Sequence, residues 1–101
     1  LAEVWNKFTG LGFVFAMWMS RSSQQSIDFA ASRNEGLAHV EEIIGNYLSE
    51  VSLTRADIRS YLTANISYSV DENMREGMEL YFKLALKHQL VSKNKPLIFA
   101  D

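Results

Sequence analysis

Apolar residues recur at helical spacing in the first eight positions: Leu1, Val4, Trp5 and Phe8 share one face, while Ala2, Glu3, Asn6 and Lys7 share the other. A short amphipathic helix is expected there. It should stop at Thr9-Gly10, because glycine takes the left-handed backbone that closes a helix without steric cost. After Leu11-Gly12 the pattern changes to an unbroken apolar run from Phe13 to Met19, bounded by Gly12 and Ser20. Such a run reads as a strand buried on both faces. A buried strand needs neighbours for its amides and carbonyls. The other strand candidates, Ile66 to Val70 and Leu97 to Phe99, are short, so the partners are either these two or chain outside this sequence.

Downstream the period is helical. Ser22 or Ser23, with Gln25 or Ser26 completing the cap, reads as the start of a long helix from about Gln24 to Glu50. Its apolar positions (Ile27, Ala30, Ala31, Leu37, Val40, Ile44, Tyr47, Leu48 and Val51) keep a 3.6 period only if the helix is interrupted around Asn34-Glu35-Gly36. Thr54 with Asp57 three residues later is a capping-box pattern opening a short helix, with Ile58, Tyr61 and Leu62 as its stripe and an end near Ala64-Asn65. Asp71-Glu72 and Lys87-His88 put negative charge at the start and positive charge at the end of the last helix, as the macrodipole favours. Met74, Gly77, Met78, Tyr81, Phe82 and Ala85 form its buried stripe. Leu97-Ile98-Phe99, after the loop Ser92 to Pro96, is expected to dock as a terminal strand.

Composition narrows the function classes. The 101 residues are 48% apolar and 22% charged, without cysteine, and the formal charge is −2. Zero cysteine excludes a disulfide framework, a thiolate metal site and a cysteine nucleophile. A slightly negative chain has no surplus of clustered Lys and Arg to attract nucleic acid or anionic lipid, so neither nucleic acid nor membrane is expected as a partner. The longest apolar run is far short of the roughly 20 residues that span a bilayer.

Candidate chemistry is sparse. His39 lies near Glu41 and Glu42, but a metal site needs three or four ligands, and a surface histidine is the simpler reading. His88 reads as a helix-terminal cation. Ser20, Ser22, Ser23 and Ser26 form a hydroxyl-rich turn before a helix, suited to a carboxylate and equally to ordinary capping. There is no Gly-x-Ser-x-Gly element and no Gly-rich phosphate loop. Phe13, Phe15 and Trp18 could line a pocket for a planar ligand or simply fill a core. Gly12 at the strand entrance permits a bend or a close approach.

Three blocks in order carry a family resemblance: Trp5-x-x-x-Thr9-Gly10-Leu11-x-Phe13-Val14-Phe15-Ala16-x-Trp18, then Gly36-Leu37-Ala38-His39-x-Glu41-x-Ile43, then Tyr61-Leu62-x-x-Asn65-Ile66-x-Tyr68. Together they resemble the C-terminal part of chorismate dehydratase, a family of the futalosine route to menaquinone. The resemblance implies an α/β fold: the C-terminal segment of a two-lobed, periplasmic-binding-protein-like (type II) domain, this chain mostly α-helical with one buried strand. Residues 1–19 would be the lobe crossover, a helix and a strand, and residues 20–101 the helices packing on the first lobe. The missing N-terminal part of the same chain would supply the other strands.

In function the resemblance implies a cytoplasmic hydro-lyase that dehydrates the anionic small molecule chorismate to an enolpyruvoyl-benzoate, with no metal or redox cofactor. The catalytic polar groups would lie outside this chain, leaving no catalytic residue here and only Gly12, Phe13 and Phe15 as cleft or hinge positions. The family often has Pro where Gly12 stands. Alternatives within the fold are the related naphthoate synthase of the same pathway and a solute-binding protein for a small anion. A free-standing helical interaction domain is the alternative outside it.

Overall fold

A computed structural model describes residues 1–24 and 26–99. Five α-helices form among them: α1 (Ala2–Thr9), α2 (Phe29–Ala38), α3 (Val40–Tyr47), α4 (Arg55–Ser60) and α5 (Glu72–Lys87), with a π-helical turn at Tyr61–Asn65. The chain divides into two compact units, Leu1–Ser23 with Val70–Asp101, and Gln24–Ser69.

In the first unit α1 closes as its sequence dictates: Gly10 has φ 70° and its N–H donates to the Asn6 carbonyl. The amphipathic pattern is present, yet only Trp5 of the apolar face is half-buried, while Leu1, Val4 and Phe8 are exposed. Helix α5 is capped by Asp71, whose carboxylate accepts from the Met74 N–H at 2.8 Å, and Lys87 occupies its last turn. Met78 and Ala85 are buried along its stripe together with Gly77. The helix ends in a Schellman motif: Leu90 N–H donates to the Ala85 carbonyl and Gln89 N–H to that of Leu86, with Gln89 at φ 59°.

The expected buried strand is corrected. Phe13 to Met19 forms no strand among the described residues, and Phe15 (75%), Trp18 (85%) and Met19 (76%) are exposed. An apolar run specifies a wish for burial, whereas a strand exists only where a second strand lies alongside, and none of the described residues forms one. Ile66 to Val70 and Leu97 to Phe99 are likewise not strands. The tail is instead held by Phe99, whose ring lies under the Arg75 guanidinium at 4.1 Å.

In the second unit the helical stretch expected from Gln24 to Glu50, interrupted around Asn34-Glu35-Gly36, is found as two shorter helices. The cap is Asp28, not Ser22 or Ser23: its carboxylate accepts from the Ala31 N–H at 2.9 Å, so α2 starts at Phe29. Gln25 lies outside the described residues. The interruption comes at His39, three residues beyond Gly36. There the His39 N–H folds back to the Gly36 carbonyl at 3.1 Å and its ring Nδ1 meets the Glu35 carbonyl at 2.8 Å. A β-carbon on Gly36 would meet nothing within 4 Å, so glycine there lowers helix propensity without forcing a break.

Helices α3 and α4 pack together, and each contributes one buried side chain, Ile44 and Ile58. The capping box is complete. Thr54 Oγ1 accepts from the Asp57 N–H, and Asp57 Oδ2 accepts from the Thr54 N–H. Helix α4 then widens into the π-turn, where the Thr63 hydroxyl donates to the Arg59 carbonyl at 2.7 Å, the back-bonding that bends helices.

Candidate functional site

Gly12, Phe13 and Phe15 lie on or just after a three-residue turn, Gly10 to Gly12, whose backbone is fully engaged. The Gly10 N–H donates to the Asn6 carbonyl and the Gly10 carbonyl accepts from Asn73 Nδ2 at 3.3 Å. The Leu11 N–H donates to Thr9 Oγ1 at 3.1 Å, and its carbonyl accepts from Asn6 Nδ2 at 3.2 Å. The Gly12 N–H donates to Asn73 Oδ1 at 2.7 Å, and its carbonyl accepts the Trp5 indole N–H at 3.1 Å. Most of these partners are side chains on α1 or α5, so the turn is held by helices rather than by a sheet.

Space beside Gly12 is tight. A β-carbon there would come within 2.9 Å of the Met74 Cγ, and one on Gly77 would stand 2.1 Å from the Gly12 carbonyl oxygen. The turn therefore lies directly on α5.

Phe13, leaving this turn, enters an edge-to-face aromatic cluster. Its ring centroid is 6.0 Å from Trp5, 5.4 Å from Tyr81 and 5.0 Å from Phe15, and Trp5 and Tyr81 are 5.9 Å apart. Each such pair adds about 0.5–1.5 kcal/mol beyond the area it buries. Phe13 is thus part of the packing, and Phe15 is its exposed outer edge. Trp18, grouped with these two on the sequence, is 85% exposed. What the sequence did not reveal is Asn73 and the indole N–H of Trp5. Asn73 and Gly12 are separated by 61 positions, so no local spacing marks the pair.

The second unit carries a shallow groove lined by Leu37, Val40, Leu62 and Ile66 below, with Arg59 and Tyr68 among its polar residues. On this unit Glu41 of α3 accepts a forked pair of hydrogen bonds from Arg59 of α4, at Nε and at Nη2 (2.9 Å), and a third from Arg55 at 3.4 Å. The Arg59 hydrogen bond, with the nearby positive charges, holds the Glu41 carboxyl below its ordinary range, and Glu41 raises Arg59 in turn. The groove's guanidinium is therefore already engaged by a carboxylate.

The serine-rich turn does not lead straight into a helix, and the N-terminus of α2 is taken by the Asp28 carboxylate, which disfavours a second anion there. His39 is exposed, its Nδ1 occupied by the Glu35 carbonyl. Among the described residues no group of three His, Asp or Glu could hold a metal ion, and no helix is long and apolar enough to cross a membrane.

A protein-family model described as menaquinone biosynthesis (VitK2_biosynth) matches residues 1–87. No curated protein and no solved structure gives a significant match.

Proposed function

Since this chain belongs to the menaquinone-biosynthesis family and has a role in that pathway, we propose that it is part of the enzyme that eliminates water from chorismate to give an enolpyruvoyl-benzoate. The observation that carries this is the family match over residues 1–87, within which the three ordered sequence blocks resemble chorismate dehydratase.

The reaction takes a proton from a ring carbon and expels the ring hydroxyl as water, leaving an aromatic ring. It needs cationic or N–H donors for two carboxylates, a base for the ring proton and a donor for the leaving oxygen. This chain assigns none of those catalytic groups. Its part is the wall of the cleft: Phe15 presents an aromatic face to a ring that becomes planar as the reaction proceeds, with Phe13 packed behind it and Gly12 as the hinge from which both depart. The rigid turn under Phe13 and the exposure of Phe15 support that role.

In the same reading residues 1–19 cross between two lobes and residues 20–101 pack on the first. The apolar surface left open at Phe15 and Met19 supports it, because such side chains gain by being covered. Incubation of the full-length protein with chorismate tests the proposal. Formation of the aromatic enolpyruvoyl ether supports it. Binding without turnover would point to a solute-binding protein, and absence of both would sink it.

A further inference from the structure

We infer that Asn73 is a positioning residue, which through its two hydrogen bonds to the Gly10 to Gly12 turn fixes the direction in which Phe13 and Phe15 leave that turn. The inference rests on the reading above that these rings form the wall of the substrate cleft, and it names the group that aims the wall.

Helix packing does not account for Asn73. It is exposed in the first turn of α5, one turn before Gly77, and is not among the buried residues Gly77, Met78 and Ala85. Capping does not account for it either, because Asp71 already accepts the Met74 N–H. What it does is present both ends of its carboxamide to the turn, Oδ1 to the Gly12 N–H and Nδ2 to the Gly10 carbonyl. An acceptor and a donor at that separation are what a neighbouring strand's peptide group would supply, so one side chain replaces a missing ladder.

The surroundings leave the turn little other freedom. Gly12 is held by Met74 on its Cα side and by α5 at Gly77 on its carbonyl side. Asn73 fixes the two peptides before Gly12, through the Gly10 carbonyl and the Gly12 N–H, while the Trp5 indole N–H holds the Gly12 carbonyl of the peptide that leads into Phe13. Phe13 carries Phe15 with it, since their rings meet edge to face at 5.0 Å. A change at Asn73 therefore reaches the cleft wall through Gly12 without any contact between Asn73 and substrate.

The test uses the full-length protein with Asn73→Ala, Asn73→Asp and Phe15→Ala, measuring amide hydrogen exchange at Gly12 and steady-state turnover of chorismate. Asn73→Ala is expected to speed Gly12 exchange about ten-fold and to raise KM roughly three- to ten-fold, the range that one or two lost hydrogen bonds carry, with kcat within about two-fold. Asn73→Asp keeps an acceptor for the Gly12 N–H but sets a carboxylate oxygen against the Gly10 carbonyl, so it should restore Gly12 protection and KM only in part. If Asn73→Ala does not fold, Asn73→Ser removes the amide with a residue accepted in a first helical turn.

Unchanged Gly12 exchange overturns the inference. So does faster exchange with unchanged KM when Phe15→Ala raises KM, which leaves the wall intact and removes only Asn73's part in it. If Phe15→Ala also leaves KM unchanged, the reading of the wall is what has failed. An inactive wild-type protein ends the proposed reaction, and Gly12 exchange then still decides whether Asn73 holds the turn.

Discussion

The carbonyl oxygen of Gly12 lies 2.1 Å from the position a β-carbon on Gly77 would occupy. No real side chain tolerates that separation, so the turn and α5 meet backbone to backbone, and the absence of a side chain on a helical residue decides where the aromatic cluster sits.

Gly77→Ala should therefore destabilise the protein by about 1–3 kcal/mol, the usual cost of overpacking, even though alanine is the better helix former. Gly36→Ala in α2 meets nothing within 4 Å and should stabilise by up to about 1 kcal/mol. Urea denaturation of both variants checks the pair. Equal effects would mean that the close approach at Gly12 is not maintained in solution.

Gln89 takes φ 59° at the position of the α5 terminus where glycine is usual. A left-handed backbone costs a residue with a β-carbon about 1–2 kcal/mol. Gln89→Gly should recover about 1 kcal/mol of that, less the added freedom of the unfolded chain, and raise the melting temperature. A lowered melting temperature would show that the Gln89 side chain contributes more than its backbone costs.

Acid should destabilise the second unit in a defined direction. The Asp57 carboxyl is held below its ordinary range chiefly by the Thr54 hydroxyl and then by the Thr54 N–H, and Glu41 chiefly by Arg59. Both groups bind protons less readily folded than unfolded, so their contribution is present above their unfolded values of about 4 and is lost as pH falls through the lower folded values. Melting temperature is expected to be level from neutral pH to about 5 and to drop below about 4. Glu41→Gln and Asp57→Asn should each flatten that drop, and an unaltered acid limb in both would rule these carboxylates out as its source.

Local chemistry was legible in the sequence where the physics is local. The Thr54 and Asp57 box, the acidic helix start at Asp71-Glu72, the Gly10 stop and the Lys87-His88 terminus are all set by groups within four residues of one another. Phe13 to Met19 misled because strand formation depends on a second backbone that the run itself does not encode. The start of α2 was misplaced because serine and aspartate are near-equal caps, and only the folded chain shows that Asp28 is the one used. At the candidate site Gly12 was visible as an unusual residue at a boundary, whereas Asn73 was not, since an asparagine in a first helical turn looks like any other.

The two hydrogen bonds from Asn73 join positions 61 and 63 residues apart, and all of Gln24–Ser69 lies between them in sequence. Closing a span of that length costs chain entropy before any contact repays it, on the order of 4 kcal/mol. The intervening helices pair at short range and carry no such cost, so α3 and α4 should acquire protection early in refolding and the Gly12 amide late, an order that pulsed hydrogen exchange would reveal or refute. The segment carrying the aromatic cluster would then be the last part of this chain to become fixed, and agents that slow folding would leave it open the longest.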